Sequence, residues 1–202
     1  MKFPANNKNT TMDNERIIVR LAQPSDCTYA TKISEETERS AIARGSGISK
    51  RSVKSIIEKI NAGKAIMAVS DCGNWVGFSY FDVWDNGKFI SNSGLIVSPD
   101  YRQNGVAAEI KEKVFNLCRQ KYPDSMVFSI TSGLAIMKLN TRLGFEPVTY
   151  AEITHDETFW EGCKSCVNYD VLNSKNKCNC LCTAMLFDPS KLTLFKLWHY
   201  KQ

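Results

Sequence analysis

Long apolar runs and targeting segments are missing from this sequence. It contains no run of about 18 apolar residues, so no membrane-spanning helix and no membrane partner are expected. Residues 1–14 are polar and rich in asparagine, without the apolar stretch of a secretory signal. We therefore expect a disordered leader and a cytoplasmic protein. Internal repeats are also missing, which excludes solenoid and propeller architectures.

The basic stripe that nucleic-acid-binding proteins carry is missing too. Lysine and arginine total 26 against 21 aspartate and glutamate, a net charge of +5, and the basic residues are scattered. Neutralising a phosphate backbone requires clustered cations, so no nucleic-acid partner is expected. The 202 residues, 43% of them hydrophobic, suffice instead for one globular domain with its own core.

The order of the apolar segments predicts an α/β fold. Strands are predicted at 16–21, 64–70, 75–84, 88–98, 126–131 and 146–150, and helices at 25–43, 49–62, 105–122 and 134–143. Ser49 is the predicted cap of the second helix, and Asp85-Asn86-Gly87 predicts a hairpin turn. A meander followed by a strand–helix–strand unit makes a mixed, mostly antiparallel central sheet flanked by helices.

The segment SGLIVSPDYRQNGVAA, from Ser93 to Ala108, is typical of an anion site. A strand runs into a turn and then a helix, whose first amide groups lack an intrahelical acceptor and carry partial positive charge. Gly105 has no side chain where a phosphate must approach, so a diphosphate fits such a cradle. A tight strand-to-helix loop without a ligand is the alternative. The residues that define a P-loop or a dinucleotide fingerprint are absent.

Two segments resemble the motifs of the GNAT N-acetyltransferases. The first resembles their acyl-CoA motif and reads Leu95-Ile96-Val97-Ser98-Pro99-Asp100-Tyr101-Arg102-Gln103-Asn104-Gly105-Val106-Ala107. The second resembles their helix that ends in Gly-Phe before a strand and reads Leu143-Gly144-Phe145-Glu146-Pro147-Val148. The resemblance covers about residues 16 to 150. It implies the GNAT fold and an acyl-CoA-dependent N-acyltransferase.

The resemblance also implies how acetyl-CoA, or another acyl-CoA, would bind. Amide groups at the helix start would hold the diphosphate, and the preceding strand would pair with the pantetheine arm. An amide of that strand would stabilise the oxyanion, and the amine would attack directly after losing a proton to a base or through water. The implied cofactor-binding residues are Leu95, Ile96, Val97, Arg102, Gln103, Asn104, Gly105, Val106 and Ala107.

The sequence departs from the family at the position often held by a tyrosine acid. Counting back from Gly144, that position is Asn140, which can hydrogen-bond a thiolate but cannot usefully donate a proton. Tyr80, Asp82 and Ser93 on the central strands are further catalytic candidates. The alternative to a catalytic role is core packing for Tyr80 and a surface position for Asp82.

A cationic loop between the first two helices indicates the acceptor. Arg44, Lys50 and Arg51 would bind a carboxylate-bearing amine there, unless they form only a solvated loop. Residues 44–65 and the cysteine-rich tail resemble a bacterial GNAT subgroup linked to arginine biosynthesis through N-acylglutamate, and Ile130 to Val148 resembles the catalytic domain of N-acetylglutamate synthase. Glutamate is therefore the predicted acceptor. The alternatives are a protein or polyamine acetyltransferase, a non-catalytic acyl-CoA-binding regulator and a zinc-dependent nucleic-acid module.

Five of the eight cysteines fall within twenty residues, as C-x-x-C followed by C-x-C-x-C. Two thiolates from each cluster can complete a tetrahedral structural zinc site, and the predicted ligands are Cys163, Cys166, Cys180 and Cys182. Free or redox-active thiols are the alternative in a reducing compartment.

These segments divide the chain into four parts. We predict the leader at 1–14, a GNAT acyltransferase domain at 15–151, a cysteine-rich extension packed on that domain at 152–189, and a tail at 190–202. A last strand is predicted at 185–187. The expected partner is a small-molecule amine. The sequence leaves open whether a second copy of the chain forms a homodimer with it.

Overall fold

A computed structural model describes residues 15–45 and 51–191 of the chain. The predicted leader, the middle of the cationic loop with Lys50, and most of the tail lie outside these residues. The strands are β1 (Ile17–Leu21), β2 (Ala65–Ser70), β3 (Trp75–Trp84), β4 (Phe89–Val97), β5 (Met126–Thr131), β6 (Glu146–Val148) and β7 (Thr183–Phe187). The helices are α1 (Ala30–Arg44), α2 (Val53–Asn61), α3 (Val106–Lys121), α4 (Leu134–Arg142), α5 (Glu157–Glu161) and α6 (Tyr169–Ser174).

The strands form one sheet in the order β1-β2-β3-β4-β5-β7-β6. Its neighbouring strands are antiparallel except for β4 and β5, which run parallel on either side of the α3 crossover. The predicted mixed and mostly antiparallel α/β fold is confirmed. The parallel pair follows from chain geometry, because a strand that returns through a helix enters the sheet in the same direction.

The two faces of the sheet are covered by different helices. On one face α3 packs against a core that includes Phe81, Ile90, Val114, Val127 and Met185, and we call this the α3 face. On the opposite face α1 and α2 cover β2, β3 and part of β4. The segment with α5 and α6 covers β5 and β7 on that same side. Successive side chains along a strand point to opposite faces of the sheet, so the residues that pack around a β4 side chain show which face it is on.

The cysteine-rich segment contributes a strand to the interior of the sheet. β7 lies between β5 and β6, with Met185 opposite Ser129 on one side and Pro147 on the other. The predicted strand at 185–187 is confirmed and begins two residues earlier, at Thr183. The sheet therefore continues across the predicted boundary at residue 152, and the boundary itself stays a prediction.

The residue that caps α2 differs from the predicted one. Ser52 caps α2 by accepting a hydrogen bond from the Ser55 amide at 3.1 Å, whereas Ser49, the predicted cap, lies outside the described residues. The apolar face of α2 packs in the core under α1. No helix in the described part of the chain combines the length and apolar character needed to cross a bilayer.

Candidate functional site

β4 and β5 separate near the centre of the sheet. They pair from Phe89 opposite Met126 to Ser91 opposite Phe128, and the pairing then stops although β4 continues to Val97 and β5 to Thr131. β4 stays paired with β3 on its other edge. A V-shaped opening results, and the β4 edge that faces it has no strand partner among residues 15–45 and 51–191. An extended ligand can pair with such an edge as an added strand.

A bulge in β4 lies beside this opening. Phe78 pairs with Ile96 and Tyr80 with Ser93, so two residues of β4 lie opposite Ser79 alone. Gly94 is one of them, with φ of +67°, and a Cβ on it would lie 2.4 Å from Cε1 of the Tyr80 ring. The position therefore requires glycine for its backbone conformation and for the space that Tyr80 occupies. Bulges of this kind re-aim backbone groups and often lie next to active sites.

The loop between β4 and α3 presents a row of amide groups. Gln103 and Gly105 have φ of +69° and +77°, and the loop is exposed. The structure gives the five amides from Gln103 to Ala107 no acceptor within residues 15–45 and 51–191. A Cβ on Gly105 would meet nothing within 4 Å, so here the backbone conformation alone requires glycine. Amides without acceptors at the start of a helix can hold an anion.

Arg102 ties this loop to α1. Its Nε donates to the Val97 carbonyl at 3.0 Å, and its Nη2 donates to Oε1 of Glu36 at 3.0 Å and to Oγ of Ser40 at 2.7 Å. Glu36 is only 3% exposed and also pairs with Arg39. The arginine predicted to bind the cofactor therefore neutralises a buried carboxylate, and its contact with a ligand stays a prediction.

Tyr80 and Ser93, two of the catalytic candidates, are direct cross-strand partners on the face that α1 and α2 cover. Burial raises the pKa of the Tyr80 phenol, which therefore keeps its proton at neutral pH. Arg51 and Lys59 each place a cation 5.8 Å from the centre of its ring. Asp82, the third candidate, accepts from Lys59 at 2.6 Å. This part of the site is therefore cationic.

The structure separates the cations of the predicted acceptor loop. Burial and the charge of Arg102 lower the pKa of Arg44, which is therefore near the loop before α3. Arg51 instead lies over Tyr80, on the side of the sheet that α2 covers. Lys50 lies outside the described residues. Arg51 is thus the member of this set that the structure brings together with Tyr80 and Ser93.

Asn140 lies on the other side of the sheet. Its side chain is fully buried and its Nδ2 donates to the sulfur of Met185 at 3.5 Å, while its Oδ1 has no hydrogen-bond partner among the described residues. Met185 belongs to the α3 face, so Asn140 is separated by the sheet from Tyr80 and Ser93. Asn140 therefore flanks the V-shaped opening from one face and Tyr80 and Ser93 from the other, and their roles stay predictions.

Sequence reasoning missed one ionisable side chain on the α3 face. Lys111 is 1% exposed, and its Nζ donates to Oγ of Ser129 at 3.3 Å. Burial lowers its pKa to about 7. Helical spacing was the available signal, because position 111 lies on the same stripe as Ile110 and Val114.

The four predicted zinc ligands are half-buried neighbours, namely Cys163, Cys166, Cys180 and Cys182. Two of their sulfurs hydrogen-bond the backbone of one residue, since Cys166 accepts from the Asn168 amide at 3.4 Å and Cys180 donates to the Asn168 carbonyl at 3.8 Å. Burial raises the pKa of Cys163 to about 11 and of Cys182 to about 12, which favours protonated thiols. No group of three or more potential ligands among residues 15–45 and 51–191 could hold a metal ion, so the zinc prediction is not supported.

Comparison with known proteins identifies the fold. No protein-family model and no curated protein sequence matches the chain. Rv2747 from Mycobacterium tuberculosis, in complex with CoA and a second bound molecule, is 19% identical with a TM-score of 0.60, covering 85% of this chain and 98% of Rv2747. A GNAT-superfamily phosphinothricin acetyltransferase from Sinorhizobium meliloti, in complex with acetyl-CoA, is 15% identical with a TM-score of 0.57, covering 85% and 88%.

A third structure is that of N-acetylglutamate synthase from Neisseria gonorrhoeae, complexed with coenzyme A and N-acetyl-glutamate. It is 15% identical with a TM-score of 0.60, covering 87% of this chain, which spans only 36% of the synthase. Identities this low establish the architecture and not the reaction. The fold of this chain is that of the GNAT-superfamily acetyltransferases.

Proposed function

We propose that the protein is an acyl-CoA-dependent N-acyltransferase. The observation that carries the proposal is the V-shaped opening between β4 and β5, which lies next to the row of amides from Gln103 to Ala107. The amides suit the diphosphate of the coenzyme, and the open edge of β4 suits an extended arm with amide groups of its own. The comparison structures with bound CoA or acetyl-CoA share this fold.

The amine would approach from the face that α1 and α2 cover. A backbone amide beside the Gly94 bulge would donate to the oxygen of the thioester carbonyl as it becomes negatively charged. The proton of the attacking amine would leave through water, because the Tyr80 phenol keeps its own proton and Asp82 is held by Lys59. Tyr80 and Ser93 would then position the amine rather than deprotonate it.

An acidic amino acid is the acceptor that fits this face best, and we propose glutamate with acetyl as the acyl group. Arg51 and Lys59 each place a cation 5.8 Å from the centre of the Tyr80 ring and make the approach cationic, which favours a carboxylate and disfavours a polyamine. The synthase from Neisseria gonorrhoeae is complexed with N-acetyl-glutamate, which is a property of that enzyme and motivates the same test here.

Two measurements test this proposal in sequence. Calorimetry with CoA alone should show binding, and absence of binding would reject the acyltransferase function. Thiol release from acetyl-CoA is then measured with glutamate, glutamine, spermidine and a short peptide amine. Glutamate should exceed its uncharged isostere glutamine by about tenfold or more in kcat/KM, as expected for a lost charge-assisted hydrogen bond.

Variants locate the acceptor contact. Arg51→Met should lower kcat/KM for glutamate by about tenfold or more and reduce the preference over glutamine. Arg39→Met is the matched control, because Arg39 is exposed and pairs with Glu36 on α1. Turnover with another amine but not with glutamate would reject the proposed acceptor and leave the acyltransferase function standing.

A further inference from the structure

Four buried polar side chains meet where β4 and β5 separate, on the α3 face. Asn92 follows the last paired residue of β4 and Ser129 the last paired residue of β5. Lys111 reaches Ser129 from α3, and Asn140 reaches Met185, the cross-strand neighbour of Ser129. These four residues, which we call the polar floor, are exposed by 3% (Asn92), 1% (Lys111), 4% (Ser129) and 0% (Asn140).

The polar floor is not satisfied by the protein alone. Neither Nδ2 nor Oδ1 of Asn92 has a hydrogen-bond partner among the described residues, and the same holds for Oδ1 of Asn140. An unpaired buried polar group is costly, so native proteins seldom keep several together. A polar molecule that enters the opening would supply these partners.

Lys111 adds a cation that has no carboxylate partner in the described part of the chain. Its Nζ contacts Ser129, and the ring of Phe145 lies 5.9 Å away. Among the described titratable groups, only Cys118 would affect the charge of Lys111 if it ionised. Burial raises the Cys118 pKa to about 12, so the thiol stays neutral. A buried ammonium in such surroundings is stabilised when an anion appears beside it.

The acyl-CoA reaction would produce an anion at this place. The loop that would hold the diphosphate follows the C-terminal end of β4, so an arm attached there runs along β4 from Val97 towards Asn92. Its far end, which carries the sulfur, therefore points to the polar floor. When the carbon–sulfur bond breaks, the electron pair stays on the sulfur as a thiolate.

We propose that the polar floor receives the sulfur of acyl-CoA and that Lys111 donates the proton with which the CoA thiol leaves; this role rests on the proposed function. The carbon–nitrogen bond forms, the carbon–sulfur bond breaks, and one proton moves from Nζ to the sulfur, leaving Lys111 as a neutral amine. Solvent, which received the proton of the attacking amine, restores the ammonium. Lys111 thereby supplies the acid that Asn140 cannot supply.

The energetics favour this transfer. An ordinary alkyl thiol has a pKa of about 8.5. Burial lowers the pKa of Lys111 to about 7, near enough to that of the thiol for the ammonium to stabilise the thiolate as it forms and to pass it the proton. At neutral pH a substantial fraction of Lys111 still carries the proton that it must give.

Steady-state kinetics of Lys111→Met give the first test. We expect kcat to fall by about 10²–10³-fold with KM for acetyl-CoA changed by less than about threefold. The decline of kcat as the pH rises above about 7 should disappear in the variant. Lys113→Met on the same helix is the matched control, because Lys113 is half-exposed and pairs with Glu109. A kcat within about threefold of wild type, with an unchanged pH profile, would overturn the role.

The ionisation of bound CoA gives a second test without an acceptor amine. The ultraviolet absorbance of the thiolate is followed against pH for CoA bound to wild type and to Lys111→Met, with Lys111→Gln as the variant that keeps hydrogen bonding. Wild type should ionise the thiol at least about one pH unit lower than either variant, because the ammonium stabilises the thiolate. Coincident titrations with intact CoA binding overturn the role of Lys111 alone. Absence of CoA binding by the wild-type protein overturns the proposed function, and this role with it.

Discussion

Alanine at position 94 tests the geometry of the bulge in β4. Gly94 has φ of +67°, and an added Cβ would lie 2.4 Å from Cε1 and 2.7 Å from Cδ1 of Tyr80. The ring cannot easily move, because Tyr80 is 6% exposed and packs against Phe78. Gly94→Ala therefore introduces both an unfavourable backbone conformation and a steric overlap.

The two effects have separate magnitudes. The left-handed conformation costs an alanine about 1–2 kcal/mol, and overpacking costs about 1–3 kcal/mol. Their sum predicts that Gly94→Ala lowers the free energy of unfolding by about 2–5 kcal/mol, or the Tm by roughly 4–20 °C. Gly105→Ala is the matched control, since φ is +77° but nothing lies within 4 Å of its Cβ. It should lose only the conformational part, about 1–2 kcal/mol.

Urea unfolding of both variants measures the difference. The excess loss in Gly94→Ala should shrink in a Tyr80→Ala background, because a smaller side chain removes the overlap and makes the two substitutions non-additive. Equal stabilities of Gly94→Ala and Gly105→Ala would show that the ring does not confine this position. The explanation of the bulge through Tyr80 would then be wrong.

Three further predictions concern charge. Asn104→Asp adds one negative charge beside the loop amides and should weaken CoA binding by about tenfold in calorimetry, because that charge repels a doubly charged diphosphate in water. Asn116→Asp is the control, because Asn116 is exposed on the far part of α3, and it should leave the affinity for CoA unchanged. Equal effects of the two substitutions would count against the anion site. Arg102→Ala should lower the free energy of unfolding by about 1–3 kcal/mol because the buried carboxylate of Glu36 loses an ion-pair partner. In a Glu36→Gln background most of that loss should vanish, and a full loss there would be the contrary result. Lys111 has a folded-state pKa of about 7 against about 10.4 unfolded, so the unfolded chain binds more protons between these values and stability rises with pH. The stability of wild type relative to Lys111→Met should therefore increase by about 1 kcal/mol per pH unit from about pH 7 to 9, and parallel curves would contradict a buried Lys111.

Much of the cofactor side of the site was predictable from local signals. The strand before Pro99, the glycine at position 105 and the helix after it are contiguous in the chain, so their sequence is enough to indicate a loop with free amides. The hairpin at Asn86 and the amphipathic helix α2 were also predictable from residues that are contiguous in the chain. The predicted roles of the individual cofactor residues stay predictions, although the loop has the conformation that they require.

The acceptor and catalytic residues were less predictable because their surroundings come from distant parts of the chain. Arg44 and Arg51 are close in sequence, but one lies near Arg102 and the other over Tyr80. The cysteine spacing predicted a metal site, whereas the sulfurs of Cys166 and Cys180 make hydrogen bonds with the backbone of Asn168. Spacing along the chain specifies neither the direction of a side chain nor its neighbours.

The order of strands and helices follows from local signals, because hydrophobic period, caps and turn residues act within a few residues of one another. Tertiary structure alone decided that β7 enters between β5 and β6, that Arg102 neutralises Glu36, and that Lys111 turns inward to Ser129. Each of these depends on which segments become neighbours when the sheet closes around α3. The physical reason is that burial and charge partners are set by packing between elements, where residues far apart in the chain are brought into contact.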